Sequence, residues 1–162
     1  MDRGSFVRLI LISGTVVASD QATKALIQNH FSLYETLTVI NGFFTITYIM
    51  NPGGAFGIFA DHSPALRKFV FLFLSSIVAV LILWFYNRTC NRDRILSSAF
   101  ALIFGGAVGN LIDRVRFGTV VDFLDFHVGR FHWPAFNIAD SAITVGMGIF
   151  LYYIVFNKIS DL

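Results

Sequence analysis

Between Gly105 and Ser141 the chain reads GGAVGNLIDRVRFGTVVDFLDFHVGRFHWPAFNIADS, and this stretch carries Asp113, Arg114, Asp122, Asn137 and Asp140. Long apolar segments lie on both sides, where ionisable residues are costly and mark function. Asp122 falls in an extended piece, Thr119 to Phe126, whose alternation puts Val120, Asp122, Leu124 and Phe126 on one face. A carboxyl among such neighbours is desolvated, and two carboxyls brought together there cannot both ionise. They share a proton, so one acid can protonate a substrate oxygen while its partner activates water. Asp122 and Asp140 are read as a pair of this kind. The competing reading makes them caps or salt-bridge partners of Arg114, Arg116 or Arg130 in an interfacial network.

Other hydrolytic chemistries fit less well. Ser63, Ser97 and Ser141 lack a G-x-S-x-G setting, and all four histidines are expected in loops. HExxH and CxxC are absent, and the single Cys90 cannot form an internal disulfide. His127 and His132 with Asp122 match no strong ligand spacing; beside Phe131 and Trp133 they read as headgroup-level anchors. No metal and no cofactor is therefore expected.

The elements that must position the pair are membrane elements. With 162 residues, 56% of them hydrophobic and 16% aromatic, and a mean hydropathy of +0.69, the chain is far more apolar than a soluble domain. The net charge of +2 comes from short basic clusters at segment ends, not from a stripe, which argues against nucleic acid as a partner. A single membrane domain, residues 1–162, is expected: an α-helical integral membrane protein with four transmembrane helices at about 7–27, 67–87, 95–114 and 138–157. The first could pass for a cleavable secretory signal, but its apolar helical character continues through Ala22, Ala25, Leu26 and Ile27, so an uncleaved helix is preferred. Asp20 and Lys24 lie four apart near its end and share a face, as a structural pair anchoring the helix end or in a direct role.

The long loops 28–66 and 115–137 lie on one side of this arrangement and the short loop 88–94 on the other. Arg88, Arg92 and Arg94 make the short loop cytoplasmic by the positive-inside rule, in agreement with Arg3, Arg8 and Lys158. In the first long loop, 36–40 and 43–50 read as strands of a small extracytoplasmic β-sheet or cradle, joined at Asn41-Gly42 by a type I′ turn. The following Asn51-Pro52-Gly53-Gly54-Ala55-Phe56-Gly57 reads as a substrate-facing flap. Gly105 and Gly109 present a smooth helix face, which Ala142 and Gly146 match on the last helix. This apolar loop and that smooth face together would offer a groove open to membrane lipid.

Depth then decides where the polar residues meet. Asp20 lies roughly 20 Å along the first helix, Asn110 roughly 22 Å along the third, and Asp140 about 25 Å from the far end of the fourth. All converge on the outer leaflet. That disfavours the alternative of a small four-helix transporter, whose carboxylates belong nearer the midplane, and leaves a non-enzymatic assembly factor as the other competitor.

Five elements in order resemble the lipoprotein signal peptidase (signal peptidase II) family. Asp20-Gln21 with Lys24 resembles its D-Q-x-x-K, and Asn51 to Gly57 its N-x-G-A-x-F, with Gly54 where the family usually has alanine. Gly109-Asn110 with Asp113-Arg114 is similar to G-N-x-x-D-R, Val120 to Phe123 to V-V-D-F, and Phe136-Asn137 with Ala139-Asp140 to F-N-x-A-D. The resemblance implies a monomeric aspartic endopeptidase of the bacterial inner membrane, with both termini cytoplasmic and its site facing the periplasm. It would cut lipidated prolipoproteins before a diacylglyceryl-modified cysteine and be inhibited by globomycin-type cyclic peptides. Asp122 and Asp140 would be catalytic. Asn51, Gly53, Asn110, Arg114 and Asn137 would position substrate or dyad, and Asp20, Lys24 and Asp113 would be structural.

Overall fold

A computed structural model describes residues 1–53 and 63–156. Helix α1 spans Arg3–His30 and begins on Asp2, whose carboxylate accepts the Ser5 amide. Strands β1 (Thr36–Ile40) and β2 (Phe44–Asn51) follow, then helix α2 (Pro64–Thr89), with Ser63 as its cap and Pro64 in its first turn. Helix α3 (Arg94–Phe117) is capped by Asp93 and stops at Gly118, whose φ of 77° lies in the left-handed region where glycine costs least. Strands β3 (Val120–Val128) and β4 (Phe131–His132) lead to helix α4 (Ile138–Val155). The end expected for the fourth helix, and Phe56, Phe59, Lys158 and Gly54 to Gly57, lie outside the described residues.

Helix α3 is the axis of the bundle and packs against α1, α2 and α4. Its most apolar 18 residues are 61% buried, whereas those of α2 are only 11% buried, so α2 turns Phe69, Phe73, Ile77, Val80 and Leu81 outward. A soluble protein could not expose such a face. Helices α2, α3 and α4 are each long and apolar enough to cross a membrane. Helix α1, 28 residues long, carries Asp20 and Lys24 in its second half.

Close approach is purchased with glycine on α3, although the pairing differs from the expected one. A Cβ on Gly105 would stand 2.9 Å from the Ser13 Cα, and one on Gly109 would stand 2.8 Å from Asp20 Oδ2. This face is therefore filled by α1 and is not an open lipid groove. Gly106 instead receives Ala139 and Ile143 of α4, and Gly146 packs on Ala99 and Ile103.

The sheet forms at one end of the bundle as β1-β2-β3-β4, antiparallel throughout. The hairpin between β1 and β2 is present, but the type I′ turn is not. Only Gly42 has positive φ (73°), Phe43 donates its amide to the Ile40 carbonyl, and pairing resumes at Ile40 and Phe44. A three-residue loop needs just one left-handed residue, whereas a two-residue I′ turn needs two. His127 and His132, expected in loops, face each other across β3 and β4. Short β4 gives little sequence signal, since Trp133 and Pro134 follow two strand residues.

Candidate active site

The strand carrying Asp122 and the helix start carrying Asp140 arrive separately at the sheet end of α3. Asp122 pairs with Ile49 of β2, next to a bulge that lets β2 shift register between Ile46 and Ile49. Such bulges re-aim side chains. Asp122 is 2% exposed. Its Oδ2 accepts from Asn51 Nδ2 at 2.8 Å and its Oδ1 from Asn137 Nδ2 at 2.7 Å. Asn51 is itself fixed, because its Oδ1 accepts the Gly53 amide at 2.9 Å; Gly53, at φ 80°, makes that turn possible.

Asp140 is placed by a capping box. Asn137 Oδ1 accepts the Asp140 amide at 2.9 Å, and Asp140 Oδ2 accepts the Asn137 amide at 3.3 Å. This leaves Oδ1 to accept from Asn110 Nδ2 at 2.7 Å. Asn110 Oδ1 accepts from Asn137 Nδ2 at 3.2 Å, so two side-chain amides join Asp140 to Asp122. Asp140 also lines a groove of about 620 Å³ bounded by Trp133, Pro134, Phe136, Thr144 and Val145. This groove, not the Gly105 and Gly109 face, is the open apolar surface beside the pair.

Behind the amides lies a fully buried charge cluster. Lys24 Nζ stands 2.8 Å from Asp20 and 2.8 Å from Asp113, and donates to Asn110 Oδ1 at 3.1 Å, so its three protons are all used. The Asp20–Lys24 pair is thus buried and not an exposed helix anchor. Asp113 pairs with Lys24 and not with its neighbour Arg114. The reason is direction: Asp113 points inward, where Oδ2 accepts the Val121 amide at 3.1 Å. Asp20 Oδ1 likewise accepts the Ala139 amide at 2.9 Å. Each carboxylate bound to Lys24 therefore docks the residue preceding one member of the Asp122 and Asp140 pair. Gln21, which the spacing argument passed over, ties the cluster further by donating to Asp20, Asp113 and the Gly109 carbonyl.

Arg114 is half-buried and forms no ion pair among the described residues, although its positive field acts on Asp140 first and then on Asp122 and Asp113. The expected alternative, a salt-bridge network with Arg114, Arg116 or Arg130, is absent among the described residues. Asp140 does cap its helix, but only one of its oxygens is used for that. Burial pushes the Asp122 carboxyl up to about 6; Asn51 and Asn137 act against this, and the nearby Asp140 charge adds to it.

The fold and site together define a helical membrane protein with two carboxylates, Asp122 buried and Asp140 half-buried, bridged by side-chain amides at one end of its bundle. The family model described as Signal peptidase (SPase) II matches residues 12–156. The lipoprotein signal peptidase of Desulforapulum autotrophicum is 61% identical over 162 residues, covering all of both chains. That of Syntrophus aciditrophicus is 47% identical over 141 residues, 87% of this chain and 88% of the relative. A bacterial membrane enzyme solved by the in meso method at 2.3 Å superposes with a TM-score of 0.78 at 32% identity, covering 95% of this chain and 91% of the other. The chain belongs to the signal peptidase II family.

Proposed function

We propose that this chain removes signal peptides from prolipoproteins as an aspartic endopeptidase, with Asp122 and Asp140 as its catalytic dyad. The observation that carries the reading is the pair of amides, Asn110 and Asn137, that links Asp140 Oδ1 to Asp122 Oδ1 across two separate elements. The shared proton resides on Asp122, the more deeply buried group. Asp140 takes a proton from water as the oxygen attacks the scissile carbonyl carbon, and Asp122 delivers its proton to the carbonyl oxygen. The resulting diol collapses with cleavage of the C–N bond: the leaving amine receives the proton held by Asp140, and one diol hydroxyl returns its proton to Asp122 as the new carboxyl forms, which restores the dyad. Asn110, Asn137 and Asn51 hold the carboxyls without neutralising them, and Arg114 and Gly53 face the substrate backbone.

Four spans, not three, fit this reading. Helix α1 is about 42 Å long at 1.5 Å per residue, and its two interior charges cancel inside the bundle. Arg88, Arg92, Arg94 and Arg3 lie at the end away from the sheet, so both termini are cytoplasmic and the dyad faces the outside of a bacterial inner membrane. There a monomer meets a spanning signal helix whose lipidated cysteine lies in the outer leaflet. The groove beside Asp140 accepts acyl chain, and binding energy from that remote part positions the bond for attack. Globomycin-type inhibitors compete for the same position. Cys90 is 2% exposed, so topology is best read from Arg92→Cys in a Cys90→Ser background: an impermeant thiol reagent should label it only after the membrane is opened.

The test is cleavage by detergent-purified protein of a diacylglyceryl-modified prolipoprotein and of the same sequence without lipid. Product beginning at the modified cysteine, blocked by globomycin, is expected from the first only. Equal turnover of both would remove the lipid from recognition, and no cleavage of either would overturn the reading.

A further inference from the structure

The face of β3 opposite Asp122 carries a second chemical cluster. Asp125 and His127 are two residues apart on the strand and so point to the same side, away from Asp122. His132 is the direct cross-strand partner of His127. One ligand atom from each of the three lies within 4.8 Å of the others. Sequence spacing offered Asp122 as the carboxylate for these histidines; strand parity excludes it and supplies Asp125.

Two details separate this cluster from an ordinary surface ion pair. His132 Nδ1 stands 3.0 Å from both Asp125 oxygens, which fixes the carboxylate against one imidazole. His127 Nδ1 is buried and has no hydrogen-bond partner. A buried ring nitrogen without a partner costs free energy, and a second donor or an ion would recover it. The two rings stack at 4.6 Å between centroids with 17° between planes, and Phe43, Phe126, Phe131 and Trp133 surround them.

We propose that Asp125, His127 and His132 bind a divalent transition metal of the zinc type, with water completing the coordination. Two imidazoles and one carboxylate suit zinc, whereas calcium and magnesium favour all-oxygen sets. At bond lengths of about 2.0–2.2 Å, tetrahedral donors stand about 3.4 Å apart. The separations, at most 4.8 Å, must therefore shorten by no more than roughly 1.4 Å, while the 3.0 Å between His132 Nδ1 and Asp125 opens slightly, and His132, whose side chain is 54% exposed, is free to make that movement. The ion would staple β4 to β3, the strand that also carries Asp122, and it stands independently of the catalytic reading.

The test uses the full chain without a histidine tag, stripped with chelator and titrated with Zn²⁺ alone by calorimetry. One equivalent should bind, and the apparent melting temperature should rise with it. His127→Ala and His132→Ala should each weaken binding by more than the roughly 10–100-fold that loss of an outer-shell partner costs. His30→Ala with His62→Ala should leave it unchanged, and so should Asp122→Asn. Because His132 is exposed, His132→Ala keeps its zinc-free melting temperature, so lost binding cannot be lost folding. Absence of a one-to-one isotherm, or an isotherm unchanged in the His127→Ala and His132→Ala variants, would overturn the site.

Discussion

Four aspartates meet at the sheet end of the bundle, and they are treated in two opposite ways. Asp20 and Asp113 are held against Lys24 and also accept backbone amides, Ala139 on the other oxygen of Asp20 and Val121 on the same oxygen of Asp113 that meets Lys24. Asp122 and Asp140 touch no cation among the described residues and are bound by amides alone. A cation holds a carboxylate ionised and fixes it in place; a neutral amide holds it in place and leaves its proton exchangeable. On the proposed reading one pair serves architecture and the other chemistry, and the first positions the second.

Lys24→Met breaks the architectural pair most severely, leaving two carboxylates buried without their cation. Loss of one partner from a buried ionic group costs about 3–5 kcal/mol, so little folded protein should survive detergent extraction and size-exclusion chromatography. Normal thermal stability together with lost activity would move Lys24 to the chemical side of the comparison.

The next effect reads the exchangeable proton directly. Asp122 binds its proton more tightly in the folded chain than in the unfolded one, with a pKa near 6 against an ordinary value near 3.8. Its contribution to stability is therefore fully present below the unfolded value and is lost as the pH rises through about 6. Two pKa units correspond to roughly 3 kcal/mol. Denaturation between pH 4 and 7 should show this decline, and Asp122→Asn should flatten it. An identical slope in that variant would assign the proton elsewhere.

Asn137→Ala removes the α4 cap, the bridge to Asn110 and a donor to Asp122. The cap costs about 1 kcal/mol, while the rate should fall more than that loss of folded protein explains, by tenfold or more. Rates compared at equal folded fraction separate the two effects. Asn51→Val is the gentlest change: one hydrogen bond of about 1 kcal/mol moves a pKa by about 0.7 unit. The limb of the pH–rate profile governed by Asp122 should move upward by that amount, with the maximal rate little altered. A downward movement would reverse the role given to Asn51.

Much of this division is legible in the residues. Apolar length marks α2, α3 and α4, and Asn41-Gly42 locates the hairpin. Periodicity puts Asn137 and Asp140 on one side of α4, and the depth of Asp20, Asn110 and Asp140 places them at a common level. Partner choice is another matter, because it depends on the direction in which a side chain leaves its helix. Asp113 follows Lys24, 89 positions away, and ignores adjacent Arg114. The buried docking of Val121 and Ala139 amides leaves no mark on composition, and neither does the role of Gly106 against α4. The Asp125, His127 and His132 cluster was obscured for a similar reason: its geometry depends on two-residue β4, too short to register as a strand.

The most direct measurement of the central claim is single-turnover cleavage of a lipidated prolipoprotein by Asp122→Asn and Asp140→Asn, with Asp113→Asn as control. Asparagine keeps size and one of the two acceptor oxygens but cannot exchange the proton, so both dyad variants should stay folded, with thermal stability lowered only modestly, and lose at least about 100-fold in rate, the lower end of what acid–base catalysis contributes. Asp113→Asn should lower stability at least as much as activity. A well-folded Asp122→Asn or Asp140→Asn enzyme cutting at more than roughly one hundredth of the wild-type rate would contradict the assignment of that residue to the chemistry.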